Sequence, residues 1–304
     1  MKDKEISDIS EKVTIGITGY NSGSLLQKAI DSVINQSSNS WEAILILDGG
    51  SDKISKKIFD SLNHPKFIKY KFESNQGPYF TRSKAIDLSK NKWYLHLDGD
   101  DLLPNNTVKI ILETIKKDPD AEFIYGNCLY FNDKYLELRK PNQSIDALAY
   151  GPLFQGVSPI KISLFRRLGG FCKDLYINAD WDFWISVYEN NIKGYYVDKT
   201  IYERRYRKNN VGSEFSHLKL QIIKLIIKRH PKFFANEKRK RLVWFNYYEK
   251  LARRNKSLGK RIKAYEYAKK AMEYGEEIPV FKTIFQEQKM SVLRYAFRRL
   301  GRVL

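Results

Sequence analysis

Three carboxylates lie within four consecutive residues, at Asp98, Asp100 and Asp101, with Gly99 after the first. Carboxylates this close repel one another strongly unless a cation lies among them. Mg²⁺ and Mn²⁺ prefer oxygen ligands, and they often take one or two carboxylates together with substrate phosphates. In extended backbone, Asp98 and Asp100 would point to the same side. The run therefore predicts a divalent metal beside a diphosphate, and its alternative is an acidic turn at a helix start.

Runs of β-branched and aromatic residues predict the elements that position this cluster. Five strands are expected, at residues 13–18, 42–47, 67–72, 93–97 and 122–130. Between them, apolar residues recur at helical spacing, which predicts helices. Strands that alternate with helices indicate an α/β fold with a mostly parallel central sheet and helices on both faces.

Polar segments follow three of the expected strands. Residues 18–21, 48–50 and 98–100 each lie where a strand is expected to end. In open α/β sheets, ligands bind beyond the carboxyl ends of the strands, near the point where the strand order reverses. We therefore expect the three segments to share one ligand site.

The last third of the chain differs in character. After residue 213, apolar spacing predicts helices, and lysine and arginine become dense, as at residues 238–241. The expected organisation is a sheet domain at residues 1–212 and a basic helical region at residues 213–304. Arginines interleaved with apolar residues at 292–304 suit an anionic membrane surface, and they equally suit a helix packed on its own domain.

Composition narrows the class of protein. The 304 residues carry a net charge of +19, which attracts anions such as phosphates, anionic membranes or nucleic acid. Two cysteines and four scattered histidines do not indicate a disulfide framework or a zinc site. The N-terminus is polar, and no segment has the roughly 20 apolar residues of a membrane span. These features predict a cytoplasmic protein, with peripheral attachment at the inner face of the membrane as an extension of that expectation.

Eight short motifs in chain order together resemble the inverting GT-A glycosyltransferases of family 2. They are TIGITGYN at 14–21, SVINQ at 32–36, ILILDGGS at 44–51, NQG at 75–77, TRS at 81–83, LDGDD at 97–101, LGGF at 168–171 and ADWDFW at 179–184. The resemblance covers residues 13–207. It implies a GT-A fold, which is a Rossmann-like nucleotide-diphospho-sugar transferase domain, followed here by a C-terminal helical extension.

The resemblance assigns roles at the carboxyl edge of the sheet. The residues implied to surround the base, ribose and diphosphate of a donor are Thr18, Tyr20, Asp48, Arg82, Asp98 and Arg207. Asp98 is expected at the ribose, and Arg207 belongs to a basic segment that closes on the diphosphate. Asp100 is expected to bind the metal, Mn²⁺ or Mg²⁺. Gly49 departs from the family, which often has a second aspartate at that position.

Asp180 is the catalytic base that the resemblance implies. An inverting transfer needs one carboxylate to remove the proton of the attacking hydroxyl. It needs no acid if a metal neutralises a nucleoside diphosphate leaving group. The family usually has Glu before this aspartate, whereas this chain has Ala179, so Asp182 remains the alternative base. Trp181 and Trp184 either stack on a sugar or pack in the core, and Asp180 itself could instead cap a helix.

The sequence thus predicts a glycosyltransferase that moves a sugar from a nucleotide-sugar, by resemblance a UDP-sugar, to a glycan or lipid-linked hydroxyl. One alternative is a nucleotidyltransferase, although the chain lacks a Gly-rich phosphate loop after its first strand. A second is a basic nucleic-acid-binding protein. No nucleic-acid partner is expected, because no recognisable motif accompanies the charge.

Overall fold

The computed structural model describes residues 11–142, 144–152, 158–206 and 216–275. These residues divide into two compact units. One unit contains the sheet and lies within residues 11–142 and 152–216, and the other comprises described residues of 144–151 and 217–275 and is helical. The predicted boundary between residues 212 and 213 falls outside the described residues.

An eight-stranded mixed sheet forms the first unit. Its strands are β1 (Val13–Gly19), β2 (Trp41–Leu47), β3 (Phe67–Lys71), β4 (Trp93–Asp98), β5 (Phe123–Asn132), β6 (Tyr135–Arg139), β7 (Ile160–Lys161) and β8 (Gly194–Arg205). The order is β3-β2-β1-β4-β7-β5-β6, and β8 pairs with β5. Strands β1 to β5 and β8 run in one direction, whereas β6 and β7 run antiparallel to them. The α/β class is therefore confirmed, with two antiparallel strands in the sheet.

Six helices in the described part of this unit accompany the sheet. They are α1 (Leu25–Ile34), α2 (Lys53–Ser61), α3 (Pro78–Leu88), α4 (Thr107–Lys117), α5 (Ile162–Arg167) and α6 (Ala179–Glu189). The central strands β1, β2 and β4 are buried almost throughout, as expected for parallel strands covered on both faces. The apolar stripe of α1 is buried at Leu26, Ala29, Ile30 and Val33, and it belongs to the same core as these strands.

One buried glutamine holds the loop that follows β4. The side-chain amide of Gln36, just after α1, donates to the carbonyl oxygens of Ser32 and Pro104 at 3.0 and 2.7 Å. Its oxygen accepts the backbone N–H of Val108 at 2.9 Å, which satisfies one of the unpaired amides at the start of α4. The SVINQ motif thus fixes where the chain goes after the acidic run.

The described part of the second unit contains four α-helices and 3-10 helical segments. The 3-10 helix Ile145–Tyr150 lies in it, and a second, Ser216–Leu218, begins at its boundary. The α-helices are α7 (Lys219–Arg229), α8 (Pro231–Phe234), α9 (Glu237–Ser257) and α10 (Arg261–Gly275). Asp146 forms ion pairs with Lys238 and Arg239 at 2.9 and 3.0 Å. Of the helices that the structure describes, none has the length and apolar character to cross a membrane. The basic segment at residues 292–304 lies outside the described residues.

Candidate active site

The acidic run forms a turn, not a continuation of the strand. Asp98 is the last residue of β4, and the backbone N–H of Asp101 donates to the Asp98 carbonyl oxygen at 3.0 Å. The expected extended backbone from Asp98 to Asp100, on which their same-side orientation depended, is therefore wrong, because the strand ends at Asp98 and a turn follows. Asp98 remains about a quarter exposed, Asp100 is half-buried, and Asp101 is buried.

Asp98 pairs with two buried partners. Its Oδ1 accepts from the Arg82 guanidinium and lies 2.7 Å from Nε2 of His96, and the Arg82 distance is also 2.7 Å. Burial opposes ionisation of Asp98, but the charge of Arg82 and the contact with His96 hold its pKa well below the usual range. Burial and the charge of Arg82 lower the pKa of His96 to about 4, so its imidazole is neutral at pH 7.

In a neutral imidazole, Nε2 either donates or accepts a hydrogen bond, so it can bond favourably to only one of its two neighbours here. That nitrogen lies 2.9 Å from Nε of Arg82 and 2.7 Å from the Asp98 carboxylate. A proton on Nε2 satisfies Asp98 and leaves Nδ1 to accept from the Tyr94 hydroxyl at 3.4 Å. Without that proton, two lone pairs would oppose each other at 2.7 Å. The tautomer with Nε2 protonated therefore matches the shorter contact.

Asp101 fastens the turn to β8. Its two carboxylate oxygens accept the backbone N–H of Arg205 at 2.7 Å and the Tyr202 hydroxyl at 3.0 Å. Burial and the nearby charge of Asp98 raise the pKa of Asp101 to about 7. The backbone of Leu102 also exchanges two 2.9 Å hydrogen bonds with Glu203. Asp101 therefore contacts protein on both oxygens.

The end of β8 brings two arginines to this edge. The side chain of Arg205 donates to the carbonyl oxygen of Asp100 at 3.1 Å. Burial opposes the charge of Arg204, but Tyr130 and the carboxylates of Asp98 and Asp101 raise its pKa above the usual range. The basic segment thus begins beside the acidic turn. Arg207 lies outside the described residues.

The end of β1 lies directly under the turn. The backbone N–H of Gly99 donates to the Thr18 carbonyl oxygen at 2.8 Å, and Thr18 is the register partner of Asp98. A Cβ on Gly99 would approach that oxygen to 2.9 Å, so the glycine is needed for contact with β1. Thr18 is half-buried, and Tyr20 is 47% exposed. Both are placed at the expected edge of the sheet.

Asp48, at the end of β2, is buried and accepts backbone N–H groups. These come from Gly49 at 3.0 Å, Gln76 at 2.8 Å and Gly77 at 3.0 Å. The carboxylate thereby holds the loop before α3. A Cβ on Gly49 would lie 2.3 Å from the Ser74 backbone, which explains why no aspartate stands there. The expected donor contact of Asp48 stays a prediction, and its described partners all belong to the protein.

Asp180 lies in the first turn of α6, and Asn178 is the N-cap residue. Its Oδ1 accepts from the Tyr79 hydroxyl at 2.6 Å and from the Trp181 backbone N–H at 2.9 Å. Asp180 is half-buried, whereas Asp182 is 1% exposed and so cannot reach a bound acceptor. Trp181 is also buried, which corrects the expectation that it could stack on a sugar.

A small cavity of about 20 Å³ lies between these groups, large enough for roughly one water molecule. Arg82, His96 and Asp180 contribute to its polar lining, and Trp184 contributes to its apolar lining. Trp184 is buried, so it packs in the core as the second of the two expectations had it. Asp180 and Arg82, which pairs with Asp98, thus line the same interior space.

Three residues of this site carried no signal in the sequence. His96 reads as an ordinary position within an apolar strand, Tyr79 as a helix residue, and Tyr202 as part of a mixed segment. Tyr79 and Tyr202 are revealed by hydrogen bonds to aspartates 101 positions away, and His96 is revealed by its contact with Asp98 in the folded structure. A search for polar residues within otherwise apolar strands would have found His96.

The carboxylates at this edge can be compared with the ligands that a divalent metal requires. Among the described residues, no group of three or more His, Cys, Asp or Glu side chains is placed to hold a metal ion by itself. Sites that bind a nucleotide diphosphate need only one or two carboxylates, because substrate phosphates complete the coordination. The half-buried Asp100 and the partly exposed Asp98 provide such oxygens. The donor set fits a metal that arrives with its diphosphate.

Known proteins resemble this chain in sequence. An uncharacterized glycosyltransferase of Rickettsia bellii is 26% identical over 212 residues, which are 66% of this chain and 29% of that protein. The Campylobacter jejuni GalNAc(5)-diNAcBac-PP-undecaprenol beta-1,3-glucosyltransferase is 26% identical over 213 residues, which are 66% of this chain and 67% of that protein. The chain spans less than two thirds of the length of several curated relatives that it matches.

The fold also has a counterpart among solved structures. Crystalline S. aureus TarS 1-349 in complex with UDP-GlcNAc superimposes with a TM-score of 0.61 at 15% sequence identity, covering 86% of this chain and 81% of that one. This likeness supports the GT-A fold. The sequence model for glycosyl transferase family 2 matches residues 14–172, which is just over half of the chain and includes the acidic turn and Arg82. On that match, and with the expected fold confirmed, the chain belongs to glycosyl transferase family 2.

Proposed function

We propose that this protein transfers a sugar from a UDP-sugar to a hydroxyl of a glycan or lipid-linked acceptor, with inversion and with Asp180 as the base. One observation carries the proposal. Arg82 pairs with Asp98 at 2.7 Å, and it also lies beside Tyr79, whose hydroxyl bonds to Asp180. A donor-binding aspartate and a candidate base are thereby held next to each other by one helix, α3.

The donor is expected along the carboxyl ends of β1 and β4. Thr18 and Tyr20 would lie at the nucleoside, with Asp98 at the ribose, in the roles that the family resemblance gives them. The guanidinium of Arg82 keeps Asp98 ionised, which suits a carboxylate that accepts from ribose hydroxyls. The UDP-GlcNAc complex of TarS supports a UDP-sugar as the donor here.

Asp100 is the proposed metal ligand. A bound Mn²⁺ or Mg²⁺ would neutralise charge on the diphosphate leaving group. Asp101 does not share this role, because both of its oxygens contact the protein. Arg204 and Arg205 add positive charge at the same edge, and Arg207 follows them in the chain.

Asp180 acts as the base in this proposal. It takes the proton of the acceptor hydroxyl while the hydroxyl oxygen bonds to the anomeric carbon and the bond from that carbon to the diphosphate breaks. It lies in the first turn of α6, where its Oδ1 accepts from the Tyr79 hydroxyl and the Trp181 backbone N–H. The burial of Asp182, which is 1% exposed, supports Asp180 over Asp182 as the proposed base.

A lipid-linked acceptor is supported by the Campylobacter relative, whose name describes an undecaprenol-linked substrate. The net charge of +19 suits a protein that works beside an anionic membrane surface. Such peripheral contact is part of the proposal, and binding to anionic vesicles at low salt, lost at high salt, tests it.

The test is a panel of UDP-sugars assayed for UDP release with Mn²⁺, Mg²⁺ or EDTA. We expect one donor to stand out, with release that requires metal. Asp180→Asn should reduce transfer at least 100-fold and leave donor binding intact. Asp174→Asn is the matched control, because Asp174 is an exposed carboxylate shortly before α6. Full transfer by Asp180→Asn would remove it as the base, and pyrophosphate release from a nucleoside triphosphate would instead indicate a nucleotidyltransferase.

A second measurement addresses the metal. UDP binding by calorimetry should tighten with Mn²⁺ in the wild-type protein, and Asp100→Asn should lose that gain while Asp174→Asn keeps it. An unchanged metal effect in Asp100→Asn would remove Asp100 as the ligand.

A further inference from the structure

The first turn of α3 carries two side chains that contact different parts of the site. Tyr79 and Arg82 are three residues apart, so they lie on the same face of the helix. Arg82 contacts Asp98 at the end of β4, and Tyr79 contacts Asp180 at the start of α6. The two aspartates are 82 positions apart in sequence and share this one helical turn as a support.

We propose that Tyr79 is a positioning residue for Asp180: its hydroxyl holds one carboxylate oxygen and thereby presents the other to the acceptor. The inference rests on the proposed function, because it assumes that Asp180 is the base. Tyr79 itself does not touch substrate in this account.

The hydrogen bonds of Asp180 support this role. Both described donors, the Tyr79 hydroxyl at 2.6 Å and the Trp181 backbone N–H at 2.9 Å, bond to Oδ1. Two donors on one oxygen fix the plane of the carboxylate. The second oxygen, Oδ2, is then the atom suited to receive a proton, in an orientation set by the protein before the acceptor arrives.

The ring of Tyr79 is itself held in place. The Arg82 guanidinium lies 5.1 Å from its centre, and the Phe171 ring meets it edge-on at 5.1 Å. Phe171 is delivered by the LGGF motif, in which Gly169 and Gly170 both have positive φ and end α5. A rigid ring places its hydroxyl accurately. The glycine motif therefore contributes to the alignment of the base through Phe171 and Tyr79.

The hydroxyl is not required for packing. Phenylalanine would fill the same space among Arg82 and Phe171, and a buried hydroxyl is costly unless it has a partner. Here the partner is the Asp180 carboxylate, and burial together with its charge raises the pKa of Tyr79 well above the usual range. The Tyr79 hydroxyl consequently stays protonated at neutral pH and can donate its hydrogen bond.

The chain offers a matched control. The Tyr196 hydroxyl also bonds to side-chain oxygens, Oδ1 of Asn127 at 2.9 Å and Oδ1 of Asp198 at 3.1 Å. Tyr196 is half-buried and Asp198 is exposed. The described donors to Asp180 are Tyr79 and Trp181, so Tyr196→Phe removes a tyrosine hydroxyl that bonds to side-chain oxygens without removing a bond to Asp180.

The experiment compares Tyr79→Phe, Tyr196→Phe and the wild-type protein with the UDP-sugar found in the panel. For Tyr79→Phe, we expect kcat to fall about 10- to 100-fold, while the donor KM and the calorimetric Kd for UDP stay within about twofold. Tyr196→Phe should match the wild-type protein. An unchanged kcat in Tyr79→Phe overturns the inference. A kcat loss accompanied by a weaker Kd also overturns it, since the tyrosine would then serve the donor site.

The double variant separates this inference from the proposed function. If Tyr79 acts through Asp180, adding Tyr79→Phe to Asp180→Asn should reduce the residual kcat by less than about twofold. Additive losses would mean that Tyr79 acts by another route. If Asp180→Asn alone keeps full kcat, the proposed base fails. If Asp180→Asn is inactive while Tyr79→Phe is fully active, only the positioning role fails.

Discussion

The buried histidine of β4 makes the stability of the sheet unit depend on pH in a way that can be calculated. His96 is 3% exposed and is packed against Arg82, Asp98 and Tyr94. Burial and the charge of Arg82 lower its pKa from 6.5 to about 4. The unfolded chain therefore takes up a proton at this residue at a higher pH than the folded chain does. The stability contributed by neutral His96 is complete above pH 6.5 and is lost as the pH falls towards 4.

The size of the effect follows from linkage between protonation and folding. Lowering the pH from 7.5 to 5.0 should cost about 2 kcal/mol at this residue, and the full loss below pH 4 should approach about 3 kcal/mol. Over part of this pH range, Asp101 changes the folding stability in the opposite direction. Its pKa is raised to about 7, so the stability that it provides is present at low pH and is lost as the pH rises through 7. The raw curve of the wild-type protein mixes the two effects.

A comparison of variants isolates the histidine. The assay is urea unfolding at pH 7.5 and 5.0, followed by tryptophan fluorescence, for the wild-type protein and His96→Gln. Four of the five tryptophans lie in the sheet unit, so the signal reports mainly on that unit. We expect the wild-type protein to lose about 2 kcal/mol more than the variant between the two pH values. Equal losses in the two proteins would refute the assigned burial and charge environment of His96.

Three further substitutions test how the site is held. Arg82→Lys keeps the charge but loses the planar fork beside Asp98, and it should weaken UDP binding about tenfold in calorimetry. Gly49→Ala places a Cβ 2.3 Å from the Ser74 backbone, and it should lower the urea unfolding free energy by about 3 kcal/mol. Gln36→Ala removes three hydrogen bonds around the loop after β4, and it should cost about 2 kcal/mol in the same assay. Wild-type values for these variants would contradict the contacts described.

The sequence was most informative where burial on both faces leaves a continuous apolar run. Strands β1, β2 and β4 were predicted to within one residue because nearly every side chain in them is covered. The two-residue strand β7 is too short to show any pattern, and it enters the sheet only by pairing with distant strands. Strand β8 has irregular register against β5, which disturbs the period of two that would have marked it.

The acidic run illustrates a different limit. The residue types correctly predicted carboxylates at a strand end. They could not show which different contacts Asp98, Asp100 and Asp101 would make. Those contacts depend on a reversal of the chain after Asp98 and on Tyr202, which bonds to Asp101 from 101 positions away. Long-range hydrogen bonds of this kind leave no local pattern. The preference for Asp180 over Asp182 as the proposed base likewise rests on a property that the local sequence does not show, namely the burial of Asp182.

The charged side chains near the acidic turn give a reason to expect a metal when a nucleotide diphosphate binds. Around the acidic turn and Asp180, one set of described charged residues comprises Asp98, Asp100, Asp101, Asp180, Arg82, Arg204 and Arg205. A raised pKa near 7 makes Asp101 only partly charged at neutral pH, so the charges within this set nearly cancel. A nucleotide diphosphate adds about two negative charges, and these are not balanced by the arginines, which already neutralise the carboxylates. A divalent cation beside Asp100 restores the balance when the donor binds. The metal effect on UDP binding should therefore weaken in Asp100→Asn.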